Sequence, residues 1–367
     1  MCIRDRLSQG SAFFRLGSRI PTDDHSKIAY AVDRVGRRLY DIEIKDVNRG
    51  AVNRGITGTS GSMQWSKRGD YLFYVKRDPD TLRAYQVWRH RTNTPARMDR
   101  LVFEEKDDTF SCDIKRSSSG EYLMIESRQT LTTETHLLRA DDPTGEWQVV
   151  LPRETGHEYH VHPVGERLFI RTNKSAENFK VVIAPLSVPA RWTDLLRNRP
   201  DVLIEGLTHF KGHFVVRERR GGLIRLRVYP SSVEAGFLPF EIPFDDPVYT
   251  VALTGNEEFD TNKIRYRYSS MNQPASIIEY DLERNEADVL KVQGVGGGFS
   301  TSNYVSKRVF AEARDGAQVP ISLVYRKDRA ARPGPVLLYG YGSYGFSQDV
   351  RFDEPVISLL DLSLIHI

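Results

Sequence analysis

Short runs that alternate apolar with polar residues, or stay apolar through their middle, recur along most of this chain with turn residues between them. The first member of each pair reads KIAYAVD from Lys27, YLFYVKRD from Tyr71, YLMIESR from Tyr122, RLFIRTN from Arg167, HFVVRER from His213 and KIRYRYSS from Lys263. A partner follows about ten residues on in each case: RLYDIEI, QVWRHRT, THLLRAD, FKVVIAP, IRLRVYP and SIIEYDL. Period-2 patterning rich in β-branched and aromatic residues, bounded by turns, predicts antiparallel strand pairs. Six hairpins are therefore predicted.

Their spacing narrows the architecture. Tyr30, Tyr74, Ile125, Ile170, Val216 and Tyr266, near the middle of each first strand, follow one another at steps of 44, 51, 45, 46 and 50 residues. Periods of roughly 40 to 50 residues with four strands per unit mark a β-propeller. SMQW before Tyr71 and RLVFEE after Gln86 supply outer strands for one unit. A β-sandwich would explain the strands but not the spacing, and a βαβ fold needs amphipathic helices between them; only PARWTDLLRNRPD carries a faint helical pattern. The expected fold class is all-β, with residues 7–306 forming six blades of a β-propeller that continues into the first strands of a second domain. Blades bury their faces on their neighbours, so a further blade is expected upstream.

From residue 307 the pattern changes. RVFAEARDGAQVPISLVYRK predicts a hairpin around Asp315-Gly316, a strong turn dipeptide. RAARPGP then predicts a loop, and VLLYG is apolar on both faces, as a buried strand of an α/β sheet would be. Residues 307–361 are expected to open an α/β domain. The stretch GYGSYGF follows that strand, and its glycines at 340, 342 and 345 permit positive φ and close backbone approach. A tyrosine hydroxyl, with an ordinary pKa near 10, stays protonated at neutral pH and can donate to a developing oxyanion. In α/β-hydrolases the loop after an early strand supplies part of that oxyanion hole. A plain strand connector is the other reading of the same residues.

Composition removes several function classes. No apolar run reaches the roughly 20 residues of a spanning helix, so no membrane partner is expected. With 52 basic against 49 acidic residues, no nucleic-acid partner is expected either. VRERRGGLIRLRV, from Val216, reads as a solvated strand face. Cys2 and Cys112 form neither a disulfide framework nor a CxxC motif; a reducing compartment is permitted, and the cytoplasm is the expected location. HEYHVH brings His157, His160 and His162 close at a spacing that could hold zinc, although no metal and no cofactor are expected. EEKDD, residues 104–108, reads as a solvated connection, with an acidic funnel for cationic peptides as the alternative. GVGGGF, residues 294–299, lacks the context of a dinucleotide fingerprint and reads as a flexible connection.

The two ends read as foreign. MCIRDR can be encoded by ATGTGTATAAGAGACAG and one base more, whose reverse complement, CTGTCTCTTATACACAT, encodes the closing LSLIHI with one further base. Residues 1–6 and 362–367 are expected to be translated adapter sequence, to be left out of fold reasoning.

The order of motifs DPDTLRAYQVWRH, VFEEKDDTF, GHEYHV, RYRYSSM, DGAQVPISLVYRK and VLLYGYGSYG resembles the prolyl oligopeptidase family of serine peptidases, and within it the oligopeptidase B branch. The resemblance runs from about Ala12 to Asp361. It implies a seven-bladed propeller capping an α/β-hydrolase domain that cleaves short peptides after Arg or Lys with a Ser, Asp, His triad, the propeller restricting access. It also implies that Tyr341 stabilises the oxyanion, that Tyr344 lines the substrate pocket, and that Asp349 is the first of an acidic pair favouring basic side chains. Arg351 stands where the second acid would be. No G-x-S-x-G nucleophile motif occurs, since GTSGS at Gly58 and SSSGE at Ser117 fail its spacing. The triad is expected beyond Asp361, and the chain by itself is expected to be inactive. A non-catalytic propeller serving as a binding scaffold is the competing function.

Overall fold

Each of the six predicted strand pairs forms an antiparallel hairpin in the computed structural model: Lys27–Asp33 with Tyr40–Asp46, Tyr71–Arg77 with Ala84–Arg91, Tyr122–Gln129 with Thr132–Arg139, Arg167–Thr172 with Lys180–Pro185, His213–Arg220 with Leu223–Pro230, and Lys263–Ser270 with Ser276–Asp281. The structure describes residues 7–231, 238–329, 334–362 and 365–366. Of the segments set aside as adapter sequence, residues 1–6, 363, 364 and 367 therefore lie outside the described residues, as do residues 330–333 of the expected RAARPGP loop. The chain divides into two units, Met1–Arg197 and Asn198–Ile367.

In the first unit the sheets comprise residues 15–104, 111–149 and 159–196, and strands adjacent in sequence are adjacent in space. The first sheet has seven strands because Val52–Trp65 belongs to two hairpins at once. Its first half pairs with Tyr40–Asp46, Ile42 opposite Ile56; its second half pairs with Tyr71–Arg77, Met63 opposite Tyr74. The change of partner falls at Gly58-Thr59-Ser60-Gly61, where both glycines have positive φ (69° and 85°) and both ladders shift register. Buried Thr59 fixes the bend: its hydroxyl donates to the Tyr40 carbonyl at 2.9 Å and accepts the Gly61 N–H at 3.2 Å.

The inner strands are buried on both faces, and alternate side chains go to opposite neighbours. Leu72 and Tyr74 join Ala29, Ala31, Ile42 and Trp65 in one core, whereas Phe73 and Val75 join Ile114, Leu123 and Ile125 of the second sheet in another. Met124, on the other face of that second sheet, packs with Tyr159, Leu168 and Ile170 of the third. Three sheets stacked in succession, the middle one using both faces, make the pattern of consecutive blades and exclude a two-layer sandwich for this unit. The faintly helical PARWTDLLRNRPD contributes a strand instead, Thr193–Leu196, because the open edge of Lys180–Pro185 offers it ladder hydrogen bonds.

The second unit holds four-stranded sheets of residues 202–241, 249–292 and 304–366. The first two share a core in which Val215, Leu226 and Val228 meet Tyr249, Ile264 and Tyr266. The hairpin Tyr304–Glu312 with Gln318–Arg326 turns at Asp315-Gly316 as predicted. Beyond it, Val336–Leu337 lies parallel to Ile365–His366, the one parallel pairing among the described residues, with the helix Glu354–Asp361 in the connection. The order is that of a βαβ step, but its closing strand falls in the residues expected to be adapter sequence. VLLYG, expected to be buried, is not: the strand is two residues long and Val336, Leu337 and Leu338 are exposed. Parallel strands are buried when helices cover both sheet faces, and the described residues put no such layers over this one.

Two consequences are measurable. A Cβ at Gly61 would sit 3.3 Å from the Tyr40 ring in addition to adopting positive φ, whereas one at Gly58 would meet nothing. Gly58→Ala should cost roughly 1 kcal/mol and Gly61→Ala roughly 2 to 3 kcal/mol in urea denaturation; equal losses would mean that Tyr40 yields. His213 is buried with its ring 4.5 Å from Phe210, its Nε2 lacks a hydrogen-bond partner among the described residues, and burial pushes its pKa from 6.5 down to about 4. Above pH 6.5 neither folded nor unfolded His213 is charged. As pH falls through this window the unfolded chain gains a proton that the folded chain refuses, removing up to roughly 3 kcal/mol of stability. His213→Phe should flatten the pH dependence of the urea midpoint between about pH 6.5 and 4, and an unchanged slope would refute the assignment.

Candidate functional site

The loop after Val336–Leu337 stands exposed. Ser343 to Phe346 form a tight turn closed by the Phe346 N–H donating to the Ser343 carbonyl at 3.1 Å, with Tyr344 at φ 56° and Gly345 at φ 64°. Two successive left-handed residues define a type I′ turn, natural for glycine and strained for tyrosine by roughly 1 to 3 kcal/mol. Tyr344 is 96% exposed and Tyr341 56%, the Tyr341 ring meeting Phe346 edge-on at 5.6 Å. Both predicted site tyrosines thus project from the turn, with the Tyr341 hydroxyl at the end of a half-exposed ring.

The segment on the C-terminal side of the turn is firmly held. The Phe352 N–H donates to Ser269 Oγ at 3.0 Å, and the Phe352 ring packs edge-on against Phe299 at 5.1 Å. Phe299 in turn stacks on Tyr304 at 5.4 Å. The helix Glu354–Asp361 begins after Asp353 with proline in its first turn, where a missing N–H costs nothing. It inserts Ile357 and Leu360, one turn apart, into a core with Val248, Met271, Tyr304, Val324 and Phe352. Asp361 at its end accepts hydrogen bonds from Tyr304 Oη and Arg326 Nη1, each at 2.7 Å. RYRYSSM is therefore an anchor: Tyr266 and Tyr268 fill a core while Ser269 holds the segment that follows the turn.

Asp349, the third predicted site residue, is paired. Its Oδ1 accepts a hydrogen bond from Arg219 Nη1 at 2.7 Å. Arg219 lies on His213–Arg220, inside the stretch expected to be a solvated strand face, and that expectation fails there: its side chain is only 10% exposed. Its Nε donates to Glu205 Oε1 at 2.5 Å, and Glu205 Oε2 accepts from Arg217 Nε at 2.7 Å. Burial works against the Arg219 charge, yet the hydrogen bonds to Asp349 and Glu205 outweigh it and hold the pKa above its ordinary value. An arginine at alternate positions of a strand looks like solvent exposure in sequence; its carboxylate partner lies 130 residues away, and no local signal reveals it. Arg351 is exposed.

The other candidates resolve into structural joints. Glu105 of EEKDD is buried, bonded to Ser127 and to Arg153 Nη2 (2.7 Å), so this connection is solvated only in part. Burial would raise its pKa, but Arg153 and Ser127 keep it below the usual carboxylate value. Arg83 Nη1 staples the same connection through the carbonyls of Glu105, Asp107 and Phe110. In GHEYHV, the Tyr159 hydroxyl donates to the Leu151 carbonyl at 2.6 Å and accepts the Thr135 N–H at 2.9 Å, while Thr133 Oγ1 bridges the Tyr159 backbone, joining the second sheet to the third. His157 Nε2 meets Thr172 Oγ1 at 2.8 Å. Burial, with Arg171 and Lys115 adding, pushes His160 and His162 down to about 4. Among the described residues no three His, Cys, Asp or Glu side chains are grouped as a metal ion would need. His90 Nδ1 lies 2.7 Å from Asp99 Oδ1, but Tyr74 occupies the other oxygen and all three are buried, so this Asp–His pair is core structure.

With this geometry in place, comparison with known proteins is direct. Residues 4–293 match the family described as prolyl oligopeptidase, N-terminal beta-propeller domain. The chain is 38% identical to dipeptidyl aminopeptidase BI of Pseudoxanthomonas mexicana over 98% of its own length and 50% of that protein's. It is 33% identical to Protease 2 of Moraxella lacunata, covering 94% of this chain and 50% of that one. Oligopeptidase B from Leishmania major superposes with a TM-score of 0.90 at 32% identity, covering 99% of this chain and 52% of that one. Oligopeptidase B from Trypanosoma brucei with covalently bound antipain gives 0.90 at 33%, covering 100% and 52%. The chain spans about half the length of the curated relatives it matches. Antiparallel sheets that follow one another in sequence order among the described residues and these matches lead to one conclusion: the chain belongs to the prolyl oligopeptidase family of serine peptidases and carries that family's N-terminal β-propeller.

Proposed function

We propose that this chain is the gating propeller and the opening of the catalytic domain of an oligopeptidase B-like serine peptidase that hydrolyses short peptides after Arg or Lys. In this reading the nucleophilic serine, its histidine base and the orienting aspartate lie outside the sequence, and Tyr341 donates to the oxyanion formed when the serine attacks the scissile carbonyl. Tyr344 lines the pocket and Asp349 faces a basic side chain of the substrate. The observation that carries the reading is the strained, exposed tyrosine turn: a left-handed Tyr344 is sustained beside a half-exposed Tyr341, immediately before a segment pinned by Arg219 and Ser269. Strain kept in an exposed loop beside a fixed segment is compatible with a working site. The peptidase names of the relatives support the same reaction class.

The coding locus beyond Asp361 should specify a G-x-S-x-G serine on a strand-to-helix turn, then Asp, then His. The enzyme expressed from that whole reading frame should cleave peptide anilides with Arg or Lys before the scissile bond and lose activity to a serine-directed reagent. The 367-residue chain alone should show no turnover; turnover blocked by the same reagent would mean that the nucleophile lies within it. In the whole enzyme, Tyr341→Phe should lower kcat about 100-fold or more with little change in KM, because the lost donor acts on the transition state. An unaltered kcat would remove Tyr341 from the mechanism.

A further inference from the structure

The surroundings of Asp349 point to a specificity device. Arg219 Nη1 spans Asp349 Oδ1 (2.7 Å) and the Gly222 carbonyl (3.2 Å), and its Nε holds Glu205. Gly221 and Gly222, both at positive φ, make the two-residue turn that returns the chain from Arg220 to Leu223. That turn is held against the sixth sheet: Arg308 donates to the Gly221 carbonyl and, through Nη1, to Ser322 Oγ at 2.8 Å. A Cβ on Gly222 would clash with Arg308 Nη2 and meet Pro320 Cγ at 3.2 Å. Arg219 thus reaches Asp349 from a braced turn and is itself nine-tenths buried.

Charge makes the arrangement consequential. Arg217 and Arg219 bond the carboxylates Glu205 and Asp349, and Arg308 is near enough that repulsion from Arg219 adds to burial in pulling the Arg308 pKa down. A cluster already carrying an excess of cations cannot admit another as an acidic pocket would. A buried guanidinium, in turn, keeps its carboxylate because leaving it unpaired is costly.

We propose that Arg219 is the resident counter-ion of the Asp349 subsite, so that a basic peptide side chain gains this carboxylate only by displacing Arg219. Arg219 is then a specificity-determining residue acting through Asp349, and it weakens rather than creates preference for a cation there. This rests on the reading of Asp349 as a subsite for a basic side chain.

The test is an NMR titration of the full 367-residue chain with N-acetyl-arginine amide, followed at the Asp349 and Val350 resonances. Arg219→Gln should tighten binding about tenfold, the scale of one charge-assisted hydrogen bond. Arg219→Lys should bind as the parent does, and Arg219→Gln with Asp349→Asn should lose the gain. A merely structural role would not make the result follow charge in this way. Arg219→Met, which keeps the stem packed, serves if glutamine unfolds the sheet, as circular dichroism would report. If Asp349→Asn weakens binding but neutral residues at position 219 do not strengthen it, Asp349 recognises the base and the displacement proposal alone falls. If Asp349→Asn changes nothing in any background, the subsite reading falls and this proposal with it.

Discussion

A sheet whose inner strands are apolar on both faces has to be covered twice, and the architecture follows from that requirement. Tyr71–Arg77 sends Leu72 and Tyr74 towards the other half of its own seven-stranded sheet and Phe73 and Val75 towards the second sheet, so the strand is covered twice. The second sheet repeats the demand through Ile125 and Met124. In the second unit the requirement reaches past the propeller. The sheet of residues 249–292 is covered on one side by Val215, Leu226 and Val228, while Val248 and Met271 beside it turn to Tyr304, Phe352, Ile357 and Leu360. The helix after the tyrosine turn is therefore positioned by a debt of burial left by a preceding blade, and the turn inherits a fixed C-terminal end.

Polar joints then set register. Burying apolar faces fixes which sheets meet but is indifferent to small sliding, whereas a buried hydroxyl or guanidinium must be matched atom for atom. Tyr159 with Thr133 and Thr135 does this between the second and third sheets, and Arg83 does it for the connection around Glu105. Ser269 does it for the backbone at Phe352. These residues lie in or beside the stretches through which the sequence resembles its family. GHEYHV, DPDTLRAYQVWRH and RYRYSSM thus serve as structural joints.

How much of the structure is legible in the sequence depends on the range of the interactions. The hairpins and their period are legible because period-2 burial is written locally in every strand. The sharing of Val52–Trp65 between two hairpins is not, because its glycines resemble a loop and only the two flanking ladders make it continuous. Thr193–Leu196 takes the conformation its neighbour's edge requires over a weak helical pattern. Tyr341 and Tyr344 can be picked out as part of a Gly/Tyr loop, and Asp349 only through the resemblance, whereas the loop's exposure cannot be read from the sequence. The buried pairing with Arg219 cannot, because alternation on a strand distinguishes two faces without saying which of them meets another part of the chain.

That difference bears on how a residue's role transfers between relatives. A carboxylate at a matching position recognises a cation only as far as its neighbours leave its charge available. Arg219 has little water to solvate it, and Glu205 is already divided between Arg217 and Arg219, so much of the compensation for this buried charge falls to Asp349. Its first task is to stabilise the seam between the Gly221-Gly222 turn and the segment leading to Phe352. Arg351, exposed two positions later, moves the field in the same direction. The tyrosine turn and the carboxylate of Asp349 therefore depend on different things: the turn on local backbone geometry that the sequence itself carries, the carboxylate on a charge balance set by residues far along the chain.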